Sequence, residues 1–385
     1  TVFGGADLAT EWNKNVGSEF SAFVREQKRE TWGMGIGAAA DGSPTVTRSY
    51  SHNDGGDWQA AERARWQVTD GNTVSGGAEF RRITCDFSPQ LDAFTGQPLP
   101  LSLGKDAAIE NTGLYVQDEA ELTQRLRLLA AVRLDVNSEF GEAVSPRAGV
   151  LYEVDAATTL RASAGQAFRA PSLLELYQPP VYFGNLVFQG NPDLDAEHIT
   201  SVDAGIEHRA GRTLKMHVDG FYNDMDDLIA DRLNGTVDMY VNVDRAWSAG
   251  VESGVEWSLD DGLAVFANYT YEQSEDRGTG LDLPYIPDHA ANGGIRASRR
   301  FGSFLTEISV TENYVGTRGF QDLQTGMWRE LDAYFRTDAS CRVTVRDRFW
   351  VAAGAQNLFD ADYQETSVLN PAPGLLWTLE SGIRF

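Results

Sequence analysis

The sequence predicts an all-β protein, a transmembrane antiparallel up-and-down β-barrel with about 18 strands present. Three observations predict it. Apolar and polar residues alternate with a period of two in segment after segment. Short Asp/Gly-rich turns alternate with long polar or aromatic connections. No run among the 385 residues approaches the roughly 18–20 apolar residues of a membrane helix, whereas a barrel strand crosses with about 9–11.

The alternation is read residue by residue. Leu214 to Asp219 alternates strictly. From Leu126 to Asp135, Leu126, Leu128, Ala130, Val132 and Leu134 take one side and Arg127, Ala131, Arg133 and Asp135 the other, with Leu129 the exception. Leu263, Val265, Ala267, Tyr269 and Tyr271 oppose Ala264, Phe266, Asn268 and Thr270. Near the end, Leu375, Trp377, Leu379, Ile383 and Phe385 oppose Thr378, Glu380 and Arg384. One such strand would suit a soluble sandwich; their repetition argues for one large sheet. Leu126, Val132, Leu214, Val218, Val265 and Leu379 are then expected to face lipid. Arg127, Arg133, Lys215, Asp219 and Glu380 are expected to face the lumen, because a charge on the lipid face costs about 2–4 kcal/mol at mid-bilayer.

The connections order these strands. Tight turns are expected at Asp41-Gly42, Asp70-Gly71-Asn72, Asp155-Ala156, Ala210-Gly211, Asp260-Asp261-Gly262, Arg300-Phe301-Gly302 and Asp347-Arg348. Between them stand long segments at 11–26, 51–60, 84–108, 169–196, 274–287, 317–330 and 360–373, with shorter ones near 137–144 and 229–237. The strands implied are 1–10, 27–39, 43–52, 61–70, 72–83, 109–118, 123–136, 145–155, 157–168, 197–209, 212–228, 238–258, 262–273, 289–300, 303–316, 331–346, 348–359 and 374–385. With the C-terminus periplasmic, as in bacterial outer-membrane barrels, long connections fall outside the cell and tight turns in the periplasm. The terminal Phe385, closing an alternating strand, resembles the signal by which such barrels are recognised for insertion.

Composition excludes several classes. A net charge of −24 leaves no basic face for nucleic acid, and four lysines stand against 28 arginines. Cys85 and Cys341 fit no metal spacing and are not expected to pair. His52, His198, His208, His217 and His289 are scattered, so no metal site and no cofactor is expected. No G-x-S-x-G elbow or phosphate-binding glycine loop occurs, which disfavours an enzyme. His52, Asp54, Asp57 and Trp58 in 51–60 were weighed for calcium, but their spacing is not that of an EF-hand. The chain opens on Thr1 without a signal peptide or initiator Met, and reads as mature, truncated or both.

From about residue 72 onward several segments resemble one family. They are Ser145-Pro146-Arg147-Ala148-Gly149, Phe168-Arg169-Ala170-Pro171-Ser172, and Gly190-Asn191-Pro192-Asp193-Leu194-Asp195-Ala196-Glu197 with Ser201 and Gly205. Phe221-Tyr222-Asn223-Asp224 with Asp227-Leu228-Ile229, Asn242 through Gly250-Val251-Glu252, Pro287-Asp288-His289, and Asn357 through Tyr363 complete the series. In order and spacing they resemble the C-terminal barrel of TonB-dependent outer-membrane receptors of the siderophore and cobalamin type. Pro171 and Pro192 suit strand-to-loop exits, because proline cannot continue a ladder.

The resemblance implies a barrel of 22 strands around an N-terminal plug. Residues 1–385 would be a partial barrel domain, without the plug, the TonB box or roughly four strands. It implies energy-coupled uptake of a bulky scarce nutrient across the bacterial outer membrane, a ferric siderophore first and cobalamin second. The partners implied are the TonB energising complex, outer-membrane lipid and lipopolysaccharide, and the barrel-assembly machinery. A passive porin is the alternative, and a soluble lectin-like β module the third reading. Ligand contacts are sought in the outer loops. Tyr177, Tyr182, Phe183 and Phe188 offer aromatic faces beside Asn185 and Gln189, and Arg318, Phe320, Trp328 and Arg329 add guanidinium forks for an anionic iron chelate. The competing role for each is an interfacial girdle or loop packing.

Overall fold

The computed structural model describes residues 1–38, 44–92, 97–98, 104–183, 186–322, 327–367 and 370–384. The turn at Asp41-Gly42, Asn185 and Phe385 therefore lie outside the described residues; for His52, Tyr182 and Phe183 the side chains do. Among the described residues there are seventeen strands of eight residues or more, seven shorter ones, and one helix of five residues, Leu173–Tyr177. No helix among them is long and apolar enough to cross a membrane, which says nothing of strands.

The chain divides into two units. In the first, Val2–Asn13, Val16–Ala38, Pro44–Thr69, Asn72–Phe87, Lys105–Thr123 and Leu126–Asn137 pair in chain order, each antiparallel to the next. Residues opposite each other share a face, so register sorts side chains. One row runs Glu19, Arg63, Gly77, Tyr115, Arg133. On the other face a row runs Ala6, Ala22, Ala60, Phe80, Thr112, Val136. The polar face is laced by ion pairs: Arg63 to Glu19 at 2.6 Å, Arg81 to Asp57 at 2.9 Å, and Arg133 to Asp135 at 2.7 Å. Arg127 stands on this face, 3.2 Å from Glu121. Gly77 is needed here, since a Cβ would come within 2.7 Å of the Tyr115 ring that covers it.

In the second unit the part of Val237–Asp260 from Ala246 onward pairs with Leu263–Asp276, which continues through His289–Phe301, Phe304–Val315, Tyr334–Val345, Phe349–Gln356 and Leu376–Ile383. One row reads Trp257, Val265, Ile295, Val310, Ala339, Ala355, Trp377; the opposite face carries Ser258, Ala264, Arg296, Ser309, Ser340, Gly354, Thr378. Leu379 lies opposite Ala353, and Glu380 opposite Ala352 beside Arg342. Asp219 accepts two hydrogen bonds from Arg161, at 2.9 and 2.6 Å. By alternation Lys215 shares the face of Asp219, and Leu214 and Val218 the other. The apolar face is open: Leu379 is 78% exposed, with Val132, Val218, Ile295 and Val351 also exposed. So many exposed apolar side chains on a sheet call for a non-aqueous cover.

The first third of the chain corrects the strand count. Segments 11–26, apart from a turn at 14–15, and 51–60, expected as loops, are strand, and 43–52 and 61–70 merge into Pro44–Thr69. A two-residue turn replaces the first loop. The Asn13 carboxamide oxygen accepts the amides of Asn15 and Val16, at 2.9 and 3.1 Å, closing a hairpin at Lys14-Asn15. Gly55 and Gly56, expected in a loop, sit in register opposite Cys85 and Thr84. Seventeen long strands instead of 18 also reverse the direction of the first, which now runs toward the tight-turn end.

Candidate ligand-binding site

The first unit gathers its longest connection at the end away from the tight turns. The Phe168-Arg169-Ala170-Pro171-Ser172 motif ends a strand and starts the helix Leu173–Tyr177. Ser172 caps it, accepting the Glu175 amide, while the Glu175 carboxylate takes the Ser172 amide at 2.6 Å. Arg169 then joins two carboxylates: a fork to Glu197 at 2.7 and 2.6 Å and a third donor to Glu175 at 3.0 Å. Glu197 also accepts the Ile229 amide at 2.8 Å.

Leu173, Leu176 and Leu194 pack with Phe87 and Ile109 in a buried cluster beneath this loop. The Gly190 to Glu197 motif fastens the far side. Gly190 approaches so closely that a Cβ would stand 2.7 Å from backbone atoms of Leu176, Tyr177 and Gln178. The Asn191 amide donates to the Glu175 carbonyl at 2.7 Å and its carboxamide to the Tyr240 carbonyl at 2.9 Å. Asn242 accepts the Asp195 amide and donates to the Asp227 carbonyl.

Leu186–Gln189 lies parallel to Val237–Met239, placing Phe188 opposite Asp238. Between them opens a cavity of about 470 Å³ lined by Gln178, Val181, Phe188, Asp231, Asp238 and Tyr240, among others. Asp238 is 4% exposed, and its Oδ1 has no hydrogen-bond partner. Burial raises its carboxyl above the usual range. The exposed Asp231 is raised as well, by desolvation and then by the charges of Asp238 and Glu175. The sequence marks neither strongly: only Asp238 stands between apolar neighbours, Val237 and Met239, whereas Asp231 stands between Ala230 and Arg232.

The sequence-predicted ligand residues separate. Phe188 lines the cavity, half-buried. Tyr177 is held by Glu139, which with burial pushes its hydroxyl up to about 12, and Lys105 sits 3.7 Å over its ring. In the second unit Arg318 and Phe320 are 5% and 3% exposed. Arg318 donates to the carbonyls of Gln364, Glu365 and Gly316, and Phe320 stacks on Tyr285. Both are packed within the loops, the guanidinium clamping three carbonyls together. Arg329 pairs with Asp322 at 2.8 Å, and Trp328 is half-buried opposite Gln321. In the Asn357 to Tyr363 motif the buried Asn357 exchanges two hydrogen bonds with Ala361, each 2.8 Å, so this motif too is a loop closure.

A family model described as TonB dependent receptor-like, beta-barrel matches residues 4–358. The chain belongs to that family. It is accordingly an outer-membrane β-barrel protein, and its family is one of transport receptors rather than enzymes. The ferric enterobactin receptor PirA of Pseudomonas aeruginosa is 28% identical over 322 residues, covering 74% of this chain and 42% of that protein. A vitamin B12 transporter BtuB, from Photobacterium profundum, is 25% identical over 313 residues, covering 79% and 46%. This TonB-dependent receptor barrel spans about 40–48% of the length of these and similar curated relatives. Its fold matches a crystal structure of the ferric enterobactin receptor PfeA of Pseudomonas aeruginosa, with TM-score 0.76 at 18% identity over 99% of this chain and 62% of that one. The copper transporter OprC matches with TM-score 0.79 at 18% identity, over 99% and 66%. These likenesses give the porin alternative no support.

Proposed function

We propose that this chain is the barrel portion of a receptor for TonB-dependent uptake of a bulky nutrient, a ferric siderophore first and cobalamin second. The observation that carries the reading is the family membership, together with relatives whose names state a ferric enterobactin receptor and a vitamin B12 transporter. In it, residues 1–385 form the barrel domain, and a plug and further strands come from the rest of the receptor. The energising TonB complex acts through that plug. Outer-membrane lipid and lipopolysaccharide cover the apolar face, and Phe385 serves the assembly machinery as its insertion signal. The polar face carrying Arg127, Arg133, Lys215, Asp219 and Glu380 lines the lumen.

Labelling tests the two faces. Nitroxides at Val132, Val218 and Leu379 in the membrane-embedded receptor are expected to be relaxed by oxygen, and those at Arg127 and Lys215 by a water-soluble nickel chelate. A reversed order would overturn the register.

Ligand capture is placed at the outer loops, on Tyr177, Tyr182, Phe183, Phe188 and Trp328, with Arg318 and Phe320 holding the loop that bears Trp328. In the full-length receptor Phe188→Ala and Trp328→Ala are each expected to weaken binding of the transported chelate by about 1–3 kcal/mol, roughly ten- to hundredfold. Equilibrium binding of ⁵⁵Fe-labelled catecholate and hydroxamate chelates and of cobalamin, at matched surface expression, checks this. Binding of none of them by the wild type would remove the uptake reading.

A further inference from the structure

Asp238 lines the cavity between Phe188 and Tyr240. It is 4% exposed, and its buried Oδ1 has no hydrogen-bond partner among the described residues. Burial disfavours the ionised form of this carboxyl, and a cation seated against it would favour that form again. Asp231 lines the same cavity from the other arm of the hairpin.

Nearby arginines do not supply the counter-charge. Arg169 is shared by Glu175 and Glu197, and Arg245 pairs with Asp226 at 2.8 Å. Arg232, next to Asp231, points by strand alternation to the opposite face.

A bare metal ion fits this cavity poorly. A hard divalent ion takes about 6–8 oxygens, and among the described residues no group of three His, Cys, Asp or Glu side chains is placed to hold one. The walls are instead largely apolar and aromatic: Val181, Phe188 and Tyr240. An organic cation uses both features, its charge against the carboxylates and its carbons against the rings.

We propose that this cavity recognises a compact organic cation, an alkylammonium or guanidinium group, held by Asp238 and Asp231 between the rings of Phe188 and Tyr240. Resting on the uptake reading above, the transported chelate then carries a positively charged arm, and a chelate bearing only anionic oxygens is excluded from this pocket by charge.

The test uses the full-length receptor in detergent, titrated with benzylammonium chloride, benzyl alcohol and calcium chloride by saturation-transfer NMR and calorimetry. Saturable binding of benzylammonium and none of benzyl alcohol is expected. Asp238→Asn, which keeps the shape of the side chain, is expected to weaken benzylammonium binding about tenfold or more, and Phe188→Leu by a smaller factor. Equal binding of the alcohol, unchanged affinity in Asp238→Asn, or calcium displacing benzylammonium from the site would each overturn the proposal. Because the alcohol comparison is made on wild type, it decides the matter even where Asp238→Asn does not fold. A second arm compares a ferric trihydroxamate ending in a primary ammonium with its N-acetylated form. Preference for the free ammonium form supports the proposal; equal binding of both overturns it and leaves the uptake reading intact. Binding of neither leaves the uptake reading to the catecholate and cobalamin measurements above, and the benzylammonium titration alone then judges the pocket.

Discussion

Leu176→Ala in the full-length receptor is expected to lower the stability of the outer loop by about 2–5 kcal/mol, while the strand ladder stays folded. Leu176 is 2% exposed and packs against Phe87, Ile109, Leu173 and Leu194. The helix that carries it has only five residues, too few to persist without tertiary contacts. Removing the side chain opens a cavity in the buried cluster beneath the loop. Amide exchange should report faster opening from Ser172 to Ala196 with unchanged protection in Leu126–Asn137. Leu174, 39% exposed, provides the control, since its replacement by alanine is expected to change little. Equal exchange in the Leu176 and Leu174 variants would show that the cluster does not hold the loop.

The second large effect is expected at Arg169. Its guanidinium neutralises Glu175 and Glu197, whose side chains are 14% and 15% exposed, and through them joins the helix cap to the Ile229 backbone. Arg169→Ala would leave two carboxylates side by side in a poorly hydrated place. With allowance for the half-exposed arginine itself, the expected loss is about 2–3 kcal/mol of loop stability. Arg169→Lys keeps the charge but not the fork, and should recover only part of it. Denaturant-dependent exchange of the Ile229 amide measures this directly, because that amide donates to Glu197. Protection of Ile229 equal to wild type in Arg169→Ala would mean the network contributes nothing.

Both effects concern motifs whose chemistry the sequence displayed without its purpose. Phe168 to Ser172 and Gly190 to Glu197 were legible as strand exits and as family segments. Their work as a capping box, an ion-pair fork and a close backbone approach appears only with their partners in place. The first hairpins show the opposite failure. Local polarity at 11–26 and 51–60 suggested loops, yet 16–26 and 51–60 lie on strands of 23 and 26 residues, far longer than the roughly 9–11 needed to cross a bilayer. Residues 51–53 lie far along their strand from the tight turn at 70–71, and where both faces of a strand meet water period-two alternation fades; residues 16–26 follow a turn, Lys14-Asn15, that has no glycine to announce it.

The legible part follows from local geometry. Successive side chains of a strand point to opposite faces, so the alternation at Leu126–Asn137 and Leu376–Ile383 fixed the two faces before any partner was known. Turn residues likewise fixed where most strands end. The rest depends on neighbours distant in the chain. Arg318 looked like a ligand arm until the carbonyls of Gln364 and Glu365, some 46 residues on, were found to occupy it. Asp238 looked like one more surface carboxylate until Phe188, fifty residues earlier in the sequence, was found beside it over a cavity. Burial is a property of the assembled environment, and it alone sets this carboxyl apart from an ordinary surface acid.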